Sequence, residues 1–399
     1  MTAISLHRRE PAAVGFERLP PLSLYVHVPW CIRKCPYCDF NSHEHRGEGG
    51  AGALPEVRYV DALIADLEQS LPQVWGREVS TVFFGGGTPS LFSPEAIDRF
   101  LGAARALLPI RADAEITLEA NPGTFESGRF AAYRALGINR LSIGIQSFDP
   151  AHLQALGRVH DGDEALRAVA IARQHFHNFN LDLMYALPRQ SPQQAVADVA
   201  RAVAEGAPHV SAYHLTLEPN TLFHRFPPPL PDDDAAALMQ ERIEALLGEA
   251  GYRHYETSAF ARPGHECRHN LNYWSFGDYL GVGAGAHGKL SLRDRVTRHM
   301  KWKHPREYMD KALAGNAVQT AGDVAVAELP FEFMMNALRL NDGFEAALFA
   351  ERTGLPLAAV AARLDAAEAR GLLTRDHRRV QPTPLGRRFL NELLEMFLD

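Results

Sequence analysis

The constraint that narrows the fold most is an alternation. From Leu24 onward, short runs rich in β-formers alternate with amphipathic stretches of helical period. The strand-like runs are Leu24–Val28, Thr81–Phe84, Glu115–Leu118, Arg140–Ile145, Asn180–Met184 and Val210–Leu215. Between them lie helical stretches at Glu56–Leu71, Pro94–Leu108, Glu126–Leu136, Asp163–His175 and Pro192–Glu205. Strand-helix repetition of this kind feeds a parallel sheet covered by helices. Six such units predict an α/β fold with a partial (β/α)6, TIM-like barrel. In such a barrel the chemistry belongs at the C-terminal ends of the strands.

Past the sixth unit, "FPPPLPDDD" reads as a solvated connector, followed by a helix at Ala235–Gly248 and a strand at Tyr252–Ala261. A glycine-rich, aromatic stretch runs through Lys289. Beyond Val324 the texture changes to Leu329–Leu340, Phe344–Thr353, Leu357–Arg370, "LLTRDHRRVQPT" and Leu385–Leu398, the pattern of a small winged-helix-like α+β domain. The expected organisation is a tail at 1–20, a core barrel at 21–250, a barrel extension at 251–325 and the winged-helix-like domain at 326–399.

"YVHVPWCIRKCPYCDFNSH" follows the first strand and holds Cys31, Cys35 and Cys38, three of the four cysteines in 399 residues. An odd, clustered count is no disulfide framework, and unpaired thiolates suit a reducing compartment. Neither a signal peptide nor a membrane span is apparent, so a cytoplasmic protein is expected. The net charge of -7 offers no global attraction for nucleic acid. Soft thiolates select zinc or iron–sulfur clusters. Zinc prefers a fourth ligand, for which the nearby candidates are His27, His43 and His45, while Cys267 lies far along the chain.

The Cys-x3-Cys-x2-Cys spacing, with Tyr37 before the third cysteine, resembles the radical S-adenosylmethionine (SAM) superfamily. That resemblance implies a [4Fe–4S] cluster on Cys31, Cys35 and Cys38 whose open iron is chelated by SAM, and an electron that splits SAM to a 5′-deoxyadenosyl radical. "FFGGGTPS" at the second strand end, "LEANPG" at the third, "SIGIQSFDP" and "LGRVHD" after the fourth and "LDLMYALPRQ" in the fifth extend it. They resemble the coproporphyrinogen III oxidase-like branch, which also contains heme chaperones. By that resemblance Tyr25, Gly86, Gly87, Thr88, Glu119, Gln146, Arg158 and Asp182 line the SAM site. Read singly, Glu119, Gln146, Arg158 and Asp182 are each equally a satisfied polar residue at a strand end, and the glycine segment equally a tight strand-to-helix turn.

Two departures weigh against the dehydrogenase of that branch. Phe40 stands where the dehydrogenase carries a further cysteine, and only about twenty residues precede the first strand. "HNLNYW" instead matches the HNxxYW motif that the resemblance associates with heme binding, giving His269, Asn270, Tyr273 and Trp274 as candidates. Neutral imidazole suits heme iron, and Tyr and Trp offer flat faces to a porphyrin. The bland alternative for His269 is a hydrogen-bonded core residue. "GVGAGAHG" follows no Rossmann first strand, so a dinucleotide loop is discounted.

The expectation is therefore a heme chaperone that binds [4Fe–4S], SAM and heme, and passes heme to respiratory apoproteins, conceivably at the membrane surface, as a monomer or dimer. Dehydrogenase activity is not expected of it, and whether it is an enzyme in any other sense stays open. The alternative is oxygen-independent coproporphyrinogen III dehydrogenase. A third reading, a DNA-binding regulator, leans on Arg375, Arg378, Arg379, Arg387 and Arg388, but the recognition-helix candidate carries only Arg363 and Arg370, so no nucleic-acid partner is expected.

Overall fold

The computed structural model describes residues 14–45, 54–124 and 127–398. Residues 1–13 of the expected tail, Glu126 at the start of one expected helix, and the last residue of the chain lie outside them. Each strand of the expected barrel forms, the first five longer than expected and the sixth shifted by one residue: β1 Leu22–Val28, β2 Val79–Gly86, β3 Ile110–Ala120, β4 Arg140–Gln146, β5 Phe179–Tyr185 and β6 His209–His214. Neighbouring strands pair in parallel and in chain order.

The covering helices are α1 Glu56–Val74, α2 Pro94–Leu107, α3 Ser127–Ala135, α4 Gly162–His175, α5 Pro192–Ala204 and α6 Asp233–Glu249. Their starts are chemically marked. Ser93 and Asp232 cap α2 and α6, and reciprocal capping boxes join Asp161 to Glu164 and Ser191 to Gln194. The outward faces of the strands and the inward stripes of these helices share one core, in which Leu24, Val82, Leu118, Ile143, Leu181 and Val210 are fully buried.

Two parts of the architecture differ from expectation. Tyr252–Ala261 is not one strand but a hairpin of β7 Arg253–Glu256 and β8 Ala259–Ala261, because the chain turns at Thr257–Ser258 and β8 runs antiparallel to β6. The glycine-rich stretch is also strand. β9 Asp278–Val282 pairs in parallel with β1, and β10 His287–Ser291, β11 Val296–Lys301 and β12 Val318–Asp323 continue antiparallel from it. Among the described residues one twelve-stranded sheet results, ordered β12-β11-β10-β9-β1-β2-β3-β4-β5-β6-β8-β7. The glycines that argue for loop here are demanded by close packing. A Cβ on Gly281 would meet the His287 carbonyl oxygen at 2.0 Å, and one on Gly283, at φ +108°, would meet the His27 carbonyl oxygen at 2.4 Å.

Buried charge ties this extension to the barrel. Lys301 on β11 is 1% exposed, and its Nζ donates to Asp66 Oδ1 of α1 at 2.5 Å. Asp66 Oδ2 accepts from Tyr308 Oη at 2.8 Å and from the Gly283 amide at 3.2 Å. Asp278 at the start of β9 is matched by Lys289 at 3.1 Å and Arg77 at 2.8 Å.

The C-terminal region has the expected winged-helix-like plan. α9 will denote Leu329–Ala337, after α7 Arg268–Trp274 and α8 Pro305–Leu313. α10 Ala346–Thr353 and α11 Ala361–Ala369 follow it, with a three-stranded sheet of Phe344–Glu345, Arg379–Pro382 and Leu373–Arg375. The expected helix at Leu385–Leu398 is interrupted at Phe389 into two short pieces. Val14 and Phe16, in the stretch expected as a tail, are buried in the core of this region beside Phe276 and Phe333.

Leaving a buried charge without its partner is costly, on the order of 3–5 kcal/mol. Lys301→Met is therefore expected to lower the unfolding free energy by about that much, with the double change Lys301→Met, Asp66→Leu recovering most of the loss. Thermal unfolding of the wild type and the two variants checks it.

Candidate functional site

Strand alternation decides what faces the concave side of the sheet. Side chains at i, i+2 and i+4 share a face. On the inner face this brings Tyr25 and His27 from β1, Phe83 from β2, Glu119 from β3, Arg140 and Ser142 from β4, Asn180 and Asp182 from β5, and His209, Ser211 and Tyr213 from β6 to a common hollow. The hollow has two chambers, of about 360 Å3 and about 780 Å3. Gly86, Glu119, Ser142, Asp182 and Tyr213 line both.

The upper chamber carries the cysteine loop. Cys31, Cys35 and Cys38 are half-buried, unpaired and on one wall. The loop folds back through Cys38 N–H to the Cys35 carbonyl at 3.2 Å, and His43 lies in a short parallel pairing with Trp30. Burial, and then the neighbouring Cys38 and Cys35 thiols, push Cys31 up to about 11 against a bond from Thr88. Arg158 Nη1 donates to Cys35 Sγ at 3.4 Å and Nη2 to the Gly144 carbonyl at 2.7 Å, while its Nε is buried without a partner.

Seven of the eight SAM candidates, Gly86, Gly87, Thr88, Glu119, Gln146, Arg158 and Asp182, share this chamber with the cysteines. Tyr25 does not line it; the residue lies on the lower chamber, its hydroxyl 3.1 Å from His27 Nδ1. The backbone is shaped for close approach. Gly86 has φ +115°, and a Cβ there would strike the His27 ring at 2.5 Å, while one on Gly87 would lie 2.5 Å from the Trp30 carbonyl oxygen. Gln146 takes φ +68°, so the fourth strand ends in a left-handed residue beside the chamber. Three thiols, an orphaned guanidinium nitrogen and bare backbone fit an iron–sulfur cluster and a small zwitterion.

Two carboxyls stand on the shared wall. Burial, and then the Asp182 charge, push Glu119 up to about 8, against one bond from the Gly86 amide at 3.0 Å. Asp182 is held by Asn180 at 2.7 Å and Ser142 at 3.0 Å.

The lower chamber carries the "HNLNYW" segment as the short helix α7. The helix enters the concave side because Glu115 receives it. Glu115 Oε1 accepts from the His269 amide at 3.1 Å and from Cys267 Sγ at 3.7 Å. Asn272 Nδ2 donates to Ser23 Oγ at 2.8 Å. His269 is 8% exposed, stacks near Phe83 with centroids 4.9 Å apart, and burial with the field of Arg140 takes it down to about 3. Its Nδ1 is 2.9 Å from Thr81 Oγ1, which donates its own proton to Ser23 Oγ at 2.8 Å. Thr81 therefore accepts from Nδ1–H, leaving the Nε2 lone pair as the free ligating atom of a neutral ring. Asn270, Tyr273 and Trp274 also line the chamber, with Trp274 Nε1 unpartnered and Arg339 stacked 4.3 Å over its ring.

Cys267 is buried and pushed up to about 12, so it is packing and not a reactive thiol. Sequence reasoning missed Arg140, Asn180, His209 and Tyr213. Their signal was available in the period of β4, β5 and β6, whose inner positions are polar where a packed barrel would be apolar. The arginines behind the nucleic-acid reading are largely committed elsewhere. Arg375 pairs with Asp365 and Glu368, Arg379 donates to the Asp342 carbonyl, and Arg388 lies 3.6 Å from Glu241.

Glu119 binds a proton in the folded state up to about pH 8, whereas an unfolded glutamate loses it near pH 4.5. Between those limits the folded state holds more protons, so stability falls as pH rises. Glu119→Gln is expected to stabilise the ligand-free protein by a few kcal/mol at pH 8.5 and by little at pH 4.5, as thermal melts across that range will show.

The comparisons with known proteins agree with this geometry. The family model of the radical SAM superfamily matches residues 25–202, and that of the HemN C-terminal domain matches residues 324–389. Heme chaperone HemW of Escherichia coli is 50% identical over 383 residues, 96% of this chain and 99% of the relative. Heme chaperone HemW of Mycobacterium tuberculosis is 38% identical, covering 96% and 97%. The solved structure of coproporphyrinogen III oxidase (HemN) from Escherichia coli, a radical SAM enzyme, superposes with a TM-score of 0.79 at 25% identity, covering 95% of this chain and 90% of that one.

Proposed function

Because the chain belongs to the heme chaperone HemW family of the radical SAM superfamily, we propose that it is a heme chaperone. It binds heme and delivers it to apoproteins, and the finer reading is that the recipients are respiratory proteins and that the work is done in the cytoplasm. No helix among the described residues is long and apolar enough to cross a membrane. The observation that carries the reading is His269, a neutral imidazole whose Nδ1 is engaged by Thr81 at 2.9 Å within an aromatic chamber. Histidines that ligate iron commonly hold their second ring nitrogen in just such a bond, which fixes the ring and raises its basicity.

Cys31, Cys35 and Cys38 would hold the [4Fe–4S] cluster, and Gly86, Gly87, Thr88, Glu119, Gln146, Arg158 and Asp182 would form the surroundings of SAM, while Tyr25 stands on the lower chamber. When bound, the cluster and SAM supply one-electron chemistry beside the carrier site. Arg158 offers donors suited to a carboxylate and already donates through Nη1 to Cys35 Sγ. Glu119 and Asp182 offer acceptors to a cation, whose arrival favours the ionised form of Glu119. In the lower chamber Tyr25, Phe83, Tyr273 and Trp274 present ring faces to a flat apolar body, Asn270 adds a polar contact, and His269 presents Nε2 to iron.

The protein with its cluster restored, mixed anaerobically with SAM, a reductant and coproporphyrinogen III, is expected to yield no protoporphyrinogen while binding hemin stably. Efficient turnover would replace the carrier reading with the dehydrogenase. His269→Ala is expected to weaken hemin binding at least tenfold with the cluster's absorbance intact; unchanged affinity would remove His269 from the site.

A further inference from the structure

The floor of the lower chamber holds a guanidinium that the fold leaves short of hydrogen-bond partners. Arg140 opens β4, is 2% exposed, and lines the chamber. Its Nε is buried with no hydrogen-bond partner. Burial works against its charge, and the fields of the Glu115 and Asp182 carboxyl groups favour it. None of these acids closes onto it. Asp182 is occupied by Asn180 and Ser142, and Glu115 Oε1 by the His269 amide and Cys267.

The side chains around this guanidinium are fixed. Asn180 Oδ1 lies 2.7 Å from His209 Nδ1 and accepts from Ser211 at 3.1 Å, and His209 Nε2 is 2.8 Å from Tyr255 Oη. A rigid floor that keeps a fork of donors bare is costly unless something anionic completes it. Planar, bidentate donors of this kind match a carboxylate. The aromatic rings of Tyr25 and Phe83, with centroids 6.2 Å apart, and the His269 ring stand on the same chamber. One ligand class satisfies both, a flat apolar macrocycle bearing carboxylate arms.

We propose that Arg140 is the anchor of a carboxylate subsite at the floor of the lower chamber, and that it takes a propionate of the bound heme. The inference rests on the heme-carrier reading and adds the group by which the porphyrin is oriented. A carboxylate pinned at Arg140 fixes the rotation of the ring while His269 addresses the iron.

The test titrates the cluster-loaded full chain with hemin and with hemin dimethyl ester, for the wild type, Arg140→Gln and Arg140→Lys, following the Soret band. The wild type is expected to bind the free acid at least tenfold more tightly than the ester. Arg140→Gln should bring hemin to the affinity of the ester, and Arg140→Lys should retain part of the preference. Equal binding of acid and ester by the wild type would overturn the inference, as would an undiminished preference in Arg140→Gln. Should the glutamine variant fail to fold, the wild-type comparison of acid and ester alone decides. Absence of hemin binding by the wild type would sink the carrier reading itself, and the subsite with it, whereas hemin binding without acid preference sinks the subsite alone.

Discussion

The buried carboxylate of Glu115 is what allows a segment outside the barrel to become part of its interior. A short helix offers several unsatisfied amides at its start, and burying them requires an acceptor. Glu115 Oε1 supplies it, on the strand next to the one whose Thr81 fixes the His269 ring. Ser23 closes the set by accepting from both Thr81 and Asn272. The residues of "HNLNYW" are thus held by the first three barrel strands, and the lower chamber exists in its present form because that hold is satisfied atom by atom.

The extension depends on the same logic at a different place. Lys301 crosses from β11 to Asp66 of α1, and Arg77 reaches from the barrel to Asp278 of β9, which Lys289 of β10 also holds, so the four strands beyond β1 are docked through buried ion pairs as well as through backbone pairing. Beside the lower chamber, which His43, Lys303 and His287 line, the His43 ring meets that of His304 with centroids 5.5 Å apart.

The barrel was legible because its strands are apolar on their outward positions and its helices carry explicit caps, as at Asp161 and Ser191. The cysteine loop was legible from spacing alone. The strands β9 to β12 were not, because Gly281, Gly283 and Gly285 read as loop in sequence, while in three dimensions each admits a neighbouring backbone or side chain at a distance that no Cβ permits. Arg140 was hidden differently. It stands first in a run, "RLSIGIQ", whose apolar members are outward core, so only the strand's period, and not its composition, shows that the charged residue faces inward. Tyr25 was expected at the SAM site by resemblance, yet it faces the lower chamber and not the cysteines, a distinction of depth along the strand that spacing does not encode.

Glu119 and Asp182 form a wall with two sides, each side belonging to a different chamber. Two ligands that share a titrating wall cannot bind independently: whatever changes its charge on one side alters the work of binding on the other by the same amount in both directions. On the proposed function, the loading of the carrier and its cofactor state would be thermodynamically linked through two carboxyls, with no moving part required.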